Sequence, residues 1–493
     1  MQIFVLALVL GIVAHDSMHE AVPLLQLTGW ALAAWVVGTK VLVAVSYGLL
    51  CRTALRRLGD AHGYLWLRWL DRTTGLYRTV VMLLYASDLA LGGLVWFRRG
   101  LGAATGIEGG NLIAVDEGFF LLLPLAMVMW AWWCYYPVDR RLREATLIRR
   151  IDAGSPIAPI WTRWQFLLAQ VRHQIALVLV PLLFLIGWSE LVERAIPQAW
   201  GNSHFDPRPW VQLTGALCIF LFAPVMIRHL WDTTPLPDGP LRQRLMAMCE
   251  QYRVGVRELL LWRTFGGMIN AAVMGLIRPL RFILLTDALI EQVPQSQVEA
   301  VMAHELAHVR RHHTFWLLMI AMVLMVLLMY VWHQALQWCL AMVAPHAVGS
   351  IVAGQSMDTK VLEGAALGGT ILSWFVVFGW VSRRLERQAD TFAVQHMAHA
   401  SAASAGQDGP VYVNDAAVAV MSDALQRVAD LNHMNVHRRS WRHGSIGWRQ
   451  RYLRGLAGRR ADRLEVDRHV FWIKVLTAVV AGVLLAAHLP TWF

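Results

Sequence analysis

Long apolar runs alternate with polar, arginine-rich stretches along most of this chain. Eight of the runs lie near residues 24–50, 76–97, 118–136, 166–188, 210–231, 315–344, 361–382 and 470–490. Each holds about the 20 residues that a helix needs to cross a hydrocarbon core. A ninth, 3–14, is only about half that length and lacks the positively charged lead of a cleavable signal peptide. It is expected to be retained as a partial or interfacial helix. The order is a transmembrane region over 1–232, a polar segment over 233–314, a helical pair over 315–382, a second polar segment over 383–469 and a last span over 470–493. This predicts an all-α polytopic membrane protein of 8–9 transmembrane helices, with a small α+β cytoplasmic domain divided by the helical pair.

Within the first polar segment, 235–239 is a turn cluster, and Leu241, Leu245 and Met248 recur at helical spacing over 241–251. Two short apolar runs, 258–262 and 281–285, read as strands with Asn270 and Ala271 between them. Ser296 and Glu299 have the spacing of a capping box and predict a helix start. The stretch 400–410, rich in Ala, Ser and Gly, reads as a surface loop.

Composition supports the membrane reading: 57% of residues are hydrophobic and the mean hydropathy is +0.46, against roughly half apolar in soluble chains. A net charge of +11 would suit a nucleic-acid partner, but its placement argues otherwise. Arg clusters fill 51–75 and 137–165, whereas 98–117, 189–209 and 345–360 are poor in net positive charge. Positive loops stay inside, so the alternation puts both polar segments in the cytoplasm. The basic run from Arg438 to Arg468 then meets anionic lipid. Membrane lipids, and no nucleic acid, are the expected partners. An excess of 41 Arg over 3 Lys among the 44 basic residues suggests a GC-rich genome and a bacterial inner membrane. Cys51, Cys134, Cys218, Cys249 and Cys339 have no paired spacing and read as reduced structural residues. Asp88, Arg172, His173 and Glu363 fall inside spans, where each needs a wet interior or a polar partner on another helix.

The chemistry lies in the run His304-Glu305-Leu306-Ala307-His308. Histidines four apart on a helix project from one face and can share one Zn²⁺, while the glutamate beside them is free to move protons as a general base. Chance alone would give such a run with a probability of roughly 0.02 in a chain of this composition, so context decides. A catalytic zinc takes three protein ligands. Glu386, in Glu386-Arg387-Gln388-Ala389-Asp390, supplies the third, and Asp390 one turn on can hold the outer N–H of a ligating imidazole. A metzincin would need Gly and His where Arg311 and Thr314 stand. Intramembrane site-two proteases place an Asp-Gly ligand motif after the histidines, and here Asp238-Gly239 precedes them. His312 and His313 read as membrane-interface residues, and His333, His396, His399, His433 and His437 are given no ligand role.

Taken together, these motifs resemble the integral-membrane zinc metallopeptidases that include the type I CAAX prenyl proteases and the bacterial heat-shock membrane protease. The resemblance runs from about Pro235 to Leu453 and implies a gluzincin-type catalytic domain. It also implies that His443 stabilises the oxyanion, with Arg449 beside it, because His443, Arg449 and Leu453 keep the family's terminal spacing. Gly444 replaces the family's proline. Asn270 and Ala271 match an edge strand on which an extended substrate pairs. The expected function is zinc-dependent hydrolysis of membrane-associated proteins or peptides at the cytoplasmic side. A signalling protease of the antibiotic-sensor type would need an extracellular sensor, for which no external loop is long enough. A non-catalytic zinc scaffold would tolerate loss of Glu305.

Overall fold

The computed structural model describes residues 29–59, 63–91, 103, 106, 115–152, 160–196, 206–264, 268–343, 357–407, 409–432, 434–462 and 464–488. The chain forms two compact units, Met1–Asp232 and Thr233–Phe493. The predicted segment 3–14 lies outside the described residues, as does His433.

The first unit is helical: α1 Gly29–Arg57, α2 Gly63–Ala90, α3 Val115–Asp152, α4 Arg163–Ala195 and α5 Arg208–Leu230. A π-helical turn, Val171–Ala176, interrupts α4. Large apolar side chains such as Leu42, Leu83 and Leu122 face outward, which costs nothing against lipid tails. The polar residues inside are paired between helices. Lys40 and Asp88 form a buried ion pair at 2.6 Å, and Arg172 donates to the Leu230 carbonyl at 2.6 Å.

Among the described residues, 7 helices are long and apolar enough to cross a membrane, where the hydropathy pattern predicts eight. The difference is α2. It starts at Gly63, ahead of the predicted span, and carries Arg68, Asp71, Arg72, Arg78 and Asp88 along its length; the predicted end over 92–97 is not described.

The second unit is built on a small sheet: β1 Thr233–Pro235, β2 Glu258–Trp262, β3 Ala271–Met274 and β4 Phe282–Thr286. The order is β1-β2-β4-β3, with β2 parallel to β4 and both outer pairs antiparallel. β4 is buried at every position, as its unbroken Phe-Ile-Leu-Leu run requires. β3 is an edge. The helices are α6 Pro240–Gln251, α7 Asp287–Gln292, α8 Gln295–Arg310, α9 His313–Val343, α10 Met357–Ser404, α11 Asp415–Leu431, α12 Ile446–Arg454 and α13 Glu465–His488. One core joins β2, β4, α8, α10 and α11 through Leu259, Ile283, Leu306, Val394 and Met421.

Two local expectations change. α8 begins at Gln295 behind Pro294 and has no side-chain cap. Pro294, its φ fixed by the ring, takes the cap position two residues ahead of Ser296, so Ser296 lies within the first turn and Glu299 pairs with Arg244 at 2.9 Å. Residues 400–404 extend α10 instead of forming a loop, because alanine is the strongest helix former. The expected boundary near 382 falls inside α10, a single helix of 48 residues.

Candidate metal centre

α8 carries buried Val298, Met302 and Leu306 at four-residue intervals into the core. The same periodicity presents His304, Glu305 and His308 to a cleft of about 1080 Å³. Ala303 and Ala307 on α8, and Ala389 and Ala393 on α10, are fully buried. With no atoms beyond Cβ along this seam, the two helices pack closely and α10 delivers Glu386 to the histidines.

His304 Nε2 and His308 Nε2 are 3.3 Å apart. Glu386 Oε2 is 3.7 Å from His304 Nε2, and Oε1 is 3.8 Å from His308 Nε2. Ligands about 2.0–2.2 Å from a tetrahedral ion stand about 3.3 Å from one another, so the three groups fit one cation with small adjustments. Their chemistry agrees. Glu386 Oε2 is buried with no well-aligned hydrogen bond, an imbalance that a cation would correct. Burial holds the His308 imidazole down to about 4, which leaves its lone pair free at neutral pH.

Burial opposes protonation of His304, but Asp390 outweighs it and raises the imidazole. Asp390 Oδ1 is 3.0 Å from His304 Nδ1. Arg449, expected beside the transition state, has two donors on Asp390: Nε to Oδ2 at 2.7 Å and Nη2 to Oδ1 at 2.5 Å. Burial pushes Glu305 up to about 7; the His304 charge opposes this and the Glu386 carboxylate adds to it. The Val273 backbone on β3 lies near enough to Glu305 to pull it the other way.

His443 Nδ1 is 3.0 Å from Glu386 Oε2, and its side chain is 52% exposed. The loop that presents it is closed by two backbone hydrogen bonds between Ser440 and Gly444, at 3.0 and 3.2 Å. Trp441 fastens this loop to α10. Its ring packs on Trp374, Phe375 and Phe378, and its indole N–H donates to the Phe375 carbonyl at 2.7 Å. Gly444 has φ +76, which proline cannot adopt, so the turn here differs from the proline turn implied by the family motif. Gly444→Pro, losing that φ and a backbone donor, should displace His443. Cleavage is expected to fall at least several-fold with zinc still bound, as kcat/KM and metal analysis would show. Gly444→Ala should cost on the order of 1–2 kcal/mol.

Asn270 was expected to offer its backbone to a substrate. Instead its N–H donates to Thr286 Oγ1 at 3.0 Å, and its carbonyl accepts from the Thr286 N–H at 3.1 Å. Antiparallel alternation then turns the backbone groups of Ala271 and Val273 to the free edge. The Asn270 side chain still lines the cleft. His313, expected at the membrane interface, is fully buried with Nδ1 3.0 Å from His308 Nδ1. Its other partner, Gln388, lies 75 positions away, and no local signal marks that contact.

The fold and the site define a polytopic membrane protein in which His304, His308 and Glu386, a group that could hold a metal ion, line a cleft. Residues 265–408 match Peptidase family M48. The chain is 33% identical over 103 residues to a CAAX prenyl protease 1 homolog of Arabidopsis thaliana, covering 20% of this chain and 24% of that protein. It therefore spans about a quarter of that relative's length. The crystal structure of S. mikatae Ste24p aligns over 86% of this chain and 98% of that one, at 13% identity and a TM-score of 0.46. Residues 265–408 are thus similar to the peptidase domain of family M48, and the stretch shared with the plant protein is similar to part of a CAAX prenyl protease 1 homolog.

Proposed function

We propose that this protein is a zinc-dependent endopeptidase that cleaves membrane-associated proteins or peptides on the cytoplasmic side of a bacterial inner membrane. The observation that carries the reading is the convergence of Glu386 from α10 on His304 and His308 of α8, with Glu305 beside them on the cleft wall.

His304, His308 and Glu386 would hold the zinc. When bound, zinc supplies Lewis-acid polarisation of a carbonyl and acidifies water. The Glu305 carboxylate takes the proton of the attacking water and returns it to the nitrogen of the leaving amine, a task suited to a group that titrates near neutrality. His443, with Nδ1 turned to Glu386, keeps Nε2 for the oxygen that gains charge. Arg449 acts through Asp390 as a positioning residue for His304. An extended substrate adds to the β3 edge at Ala271 and Val273, beneath Asn270. Drawing the Val273 backbone away from Glu305 would then free the base as the substrate pairs.

Metal removal tests the reading. Full-length protein in detergent, incubated with a peptide library, is expected to lose cleavage on treatment with a zinc chelator and to regain it with one equivalent of Zn²⁺. Zinc-loaded protein that cleaves no member of the library, nor a membrane-protein substrate set, would overturn it.

A further inference from the structure

The geometry points to His313, Gln388 and Asp467 as a hydrogen-bonded support that fixes the proton position of the metal ligand His308, an inference that deepens the proposed zinc site and rests on it. Three contacts make the chain. His308 Nδ1 meets His313 Nδ1 at 3.0 Å, His313 Nε2 meets Gln388 Oε1 at 2.9 Å, and Gln388 Nε2 donates to Asp467 Oδ1 at 2.5 Å.

The polarity of every link follows from the first. His308 Nε2 faces His304 and Glu386, so as a ligand it keeps its lone pair there and carries its proton on Nδ1. That N–H can only donate, so His313 Nδ1 accepts. His313 then holds its own proton on Nε2 and donates to the Gln388 oxygen. The Gln388 amide, oriented by this bond, points its NH₂ at the Asp467 carboxylate, which can only accept. Reversing the chain would put a proton on His308 Nε2 and close it to a metal. His313 is 0% and Gln388 4% exposed, so bulk water has little access to substitute for either.

The backbone agrees. His312, between α8 and α9, has φ +54, a left-handed conformation that a non-glycine residue adopts only at a cost. This turn folds the chain back so that the rings of His308 and His313 meet at 4.9 Å. The two zinc histidines are thus supported differently: His304 by the Asp390–Arg449 ion pair, and His308 through the uncharged side chains of His313 and Gln388, which lead to the Asp467 carboxylate on α13. The C-terminal span thereby becomes part of the metal centre.

The test reads metal affinity and does not use cleavage. His313→Phe keeps the ring and removes both nitrogens; His313→Asn keeps an acceptor near the position of Nδ1. Zinc retention by full-length protein in detergent is titrated with a competing chelator. His313→Phe is expected to weaken zinc about 10–100-fold, and His313→Asn to recover part of the loss. Gln388→Met, which removes the next link and leaves His313 in place, should weaken zinc in the same direction. Wild-type affinity in His313→Phe or Gln388→Met, or no recovery in His313→Asn, overturns the inference. A wild type that binds zinc and cleaves nothing would sink the peptidase reading and leave this one standing.

Discussion

Replacing Glu305 with Gln is expected to abolish peptide cleavage while leaving the metal in place. The amide has the volume of the carboxylate but can neither take a proton from water nor return one. Loss of a general base lowers kcat by about 10²–10⁴-fold, or about 3–5 kcal/mol of barrier. Zinc content should stay at that of the wild type, because the three groups gathered for the cation are His304, His308 and Glu386. Thermal stability should hold or rise, since a carboxylate pushed up to about 7 by burial is poorly solvated and a neutral amide relieves it. Wild-type turnover by Glu305→Gln would remove this residue from the mechanism and favour a site whose zinc serves structure. Loss of zinc would instead mean that Glu305 belongs to the ligand set.

Part of this centre is local and therefore readable in the sequence. Residues four apart on a helix share a face whatever surrounds them, so the pairs His304 with His308 and Glu386 with Asp390 can be read off their spacing. The apolar runs of β2 and β4 announce themselves in the same way. What could not be read depends on contacts between remote segments. His313 and Gln388 are 75 positions apart, and Gln388 and Asp467 are 79 apart; each alone looks like a surface residue. The commitment of the Asn270 backbone to Thr286 is set by the register of β3 on β4. Arg449 shows the same limit: its spacing from His443 suggests a shared role at the substrate, whereas the packing of α12 turns its guanidinium to Asp390. The start of α8 departs for a different reason: Pro294 takes the cap position ahead of Ser296.

The second large effect concerns that buried pair. Asp390 is fully buried and Arg449 nearly so, and two short hydrogen bonds join them. Arg449→Met would leave a carboxylate in the interior without its guanidinium partner, although His304 Nδ1 stays 3.0 Å away. Stranding one charge of such a pair costs about 3–5 kcal/mol, so the variant should unfold at a clearly lower temperature in detergent. Arg449→Lys should fall between the two, because a single ammonium cannot span both carboxylate oxygens as the guanidinium fork does. The Arg449→Met/Asp390→Leu double variant separates stability from metal binding. Removing both charges should restore much of the lost stability, since an apolar pair of similar volume can replace a buried ion pair at little cost. It should not restore zinc affinity, because His304 would have lost the acceptor that orients its ring. Recovery of both in the double variant would reduce Asp390 and Arg449 to packing, whereas recovery of stability alone assigns them to the alignment of His304.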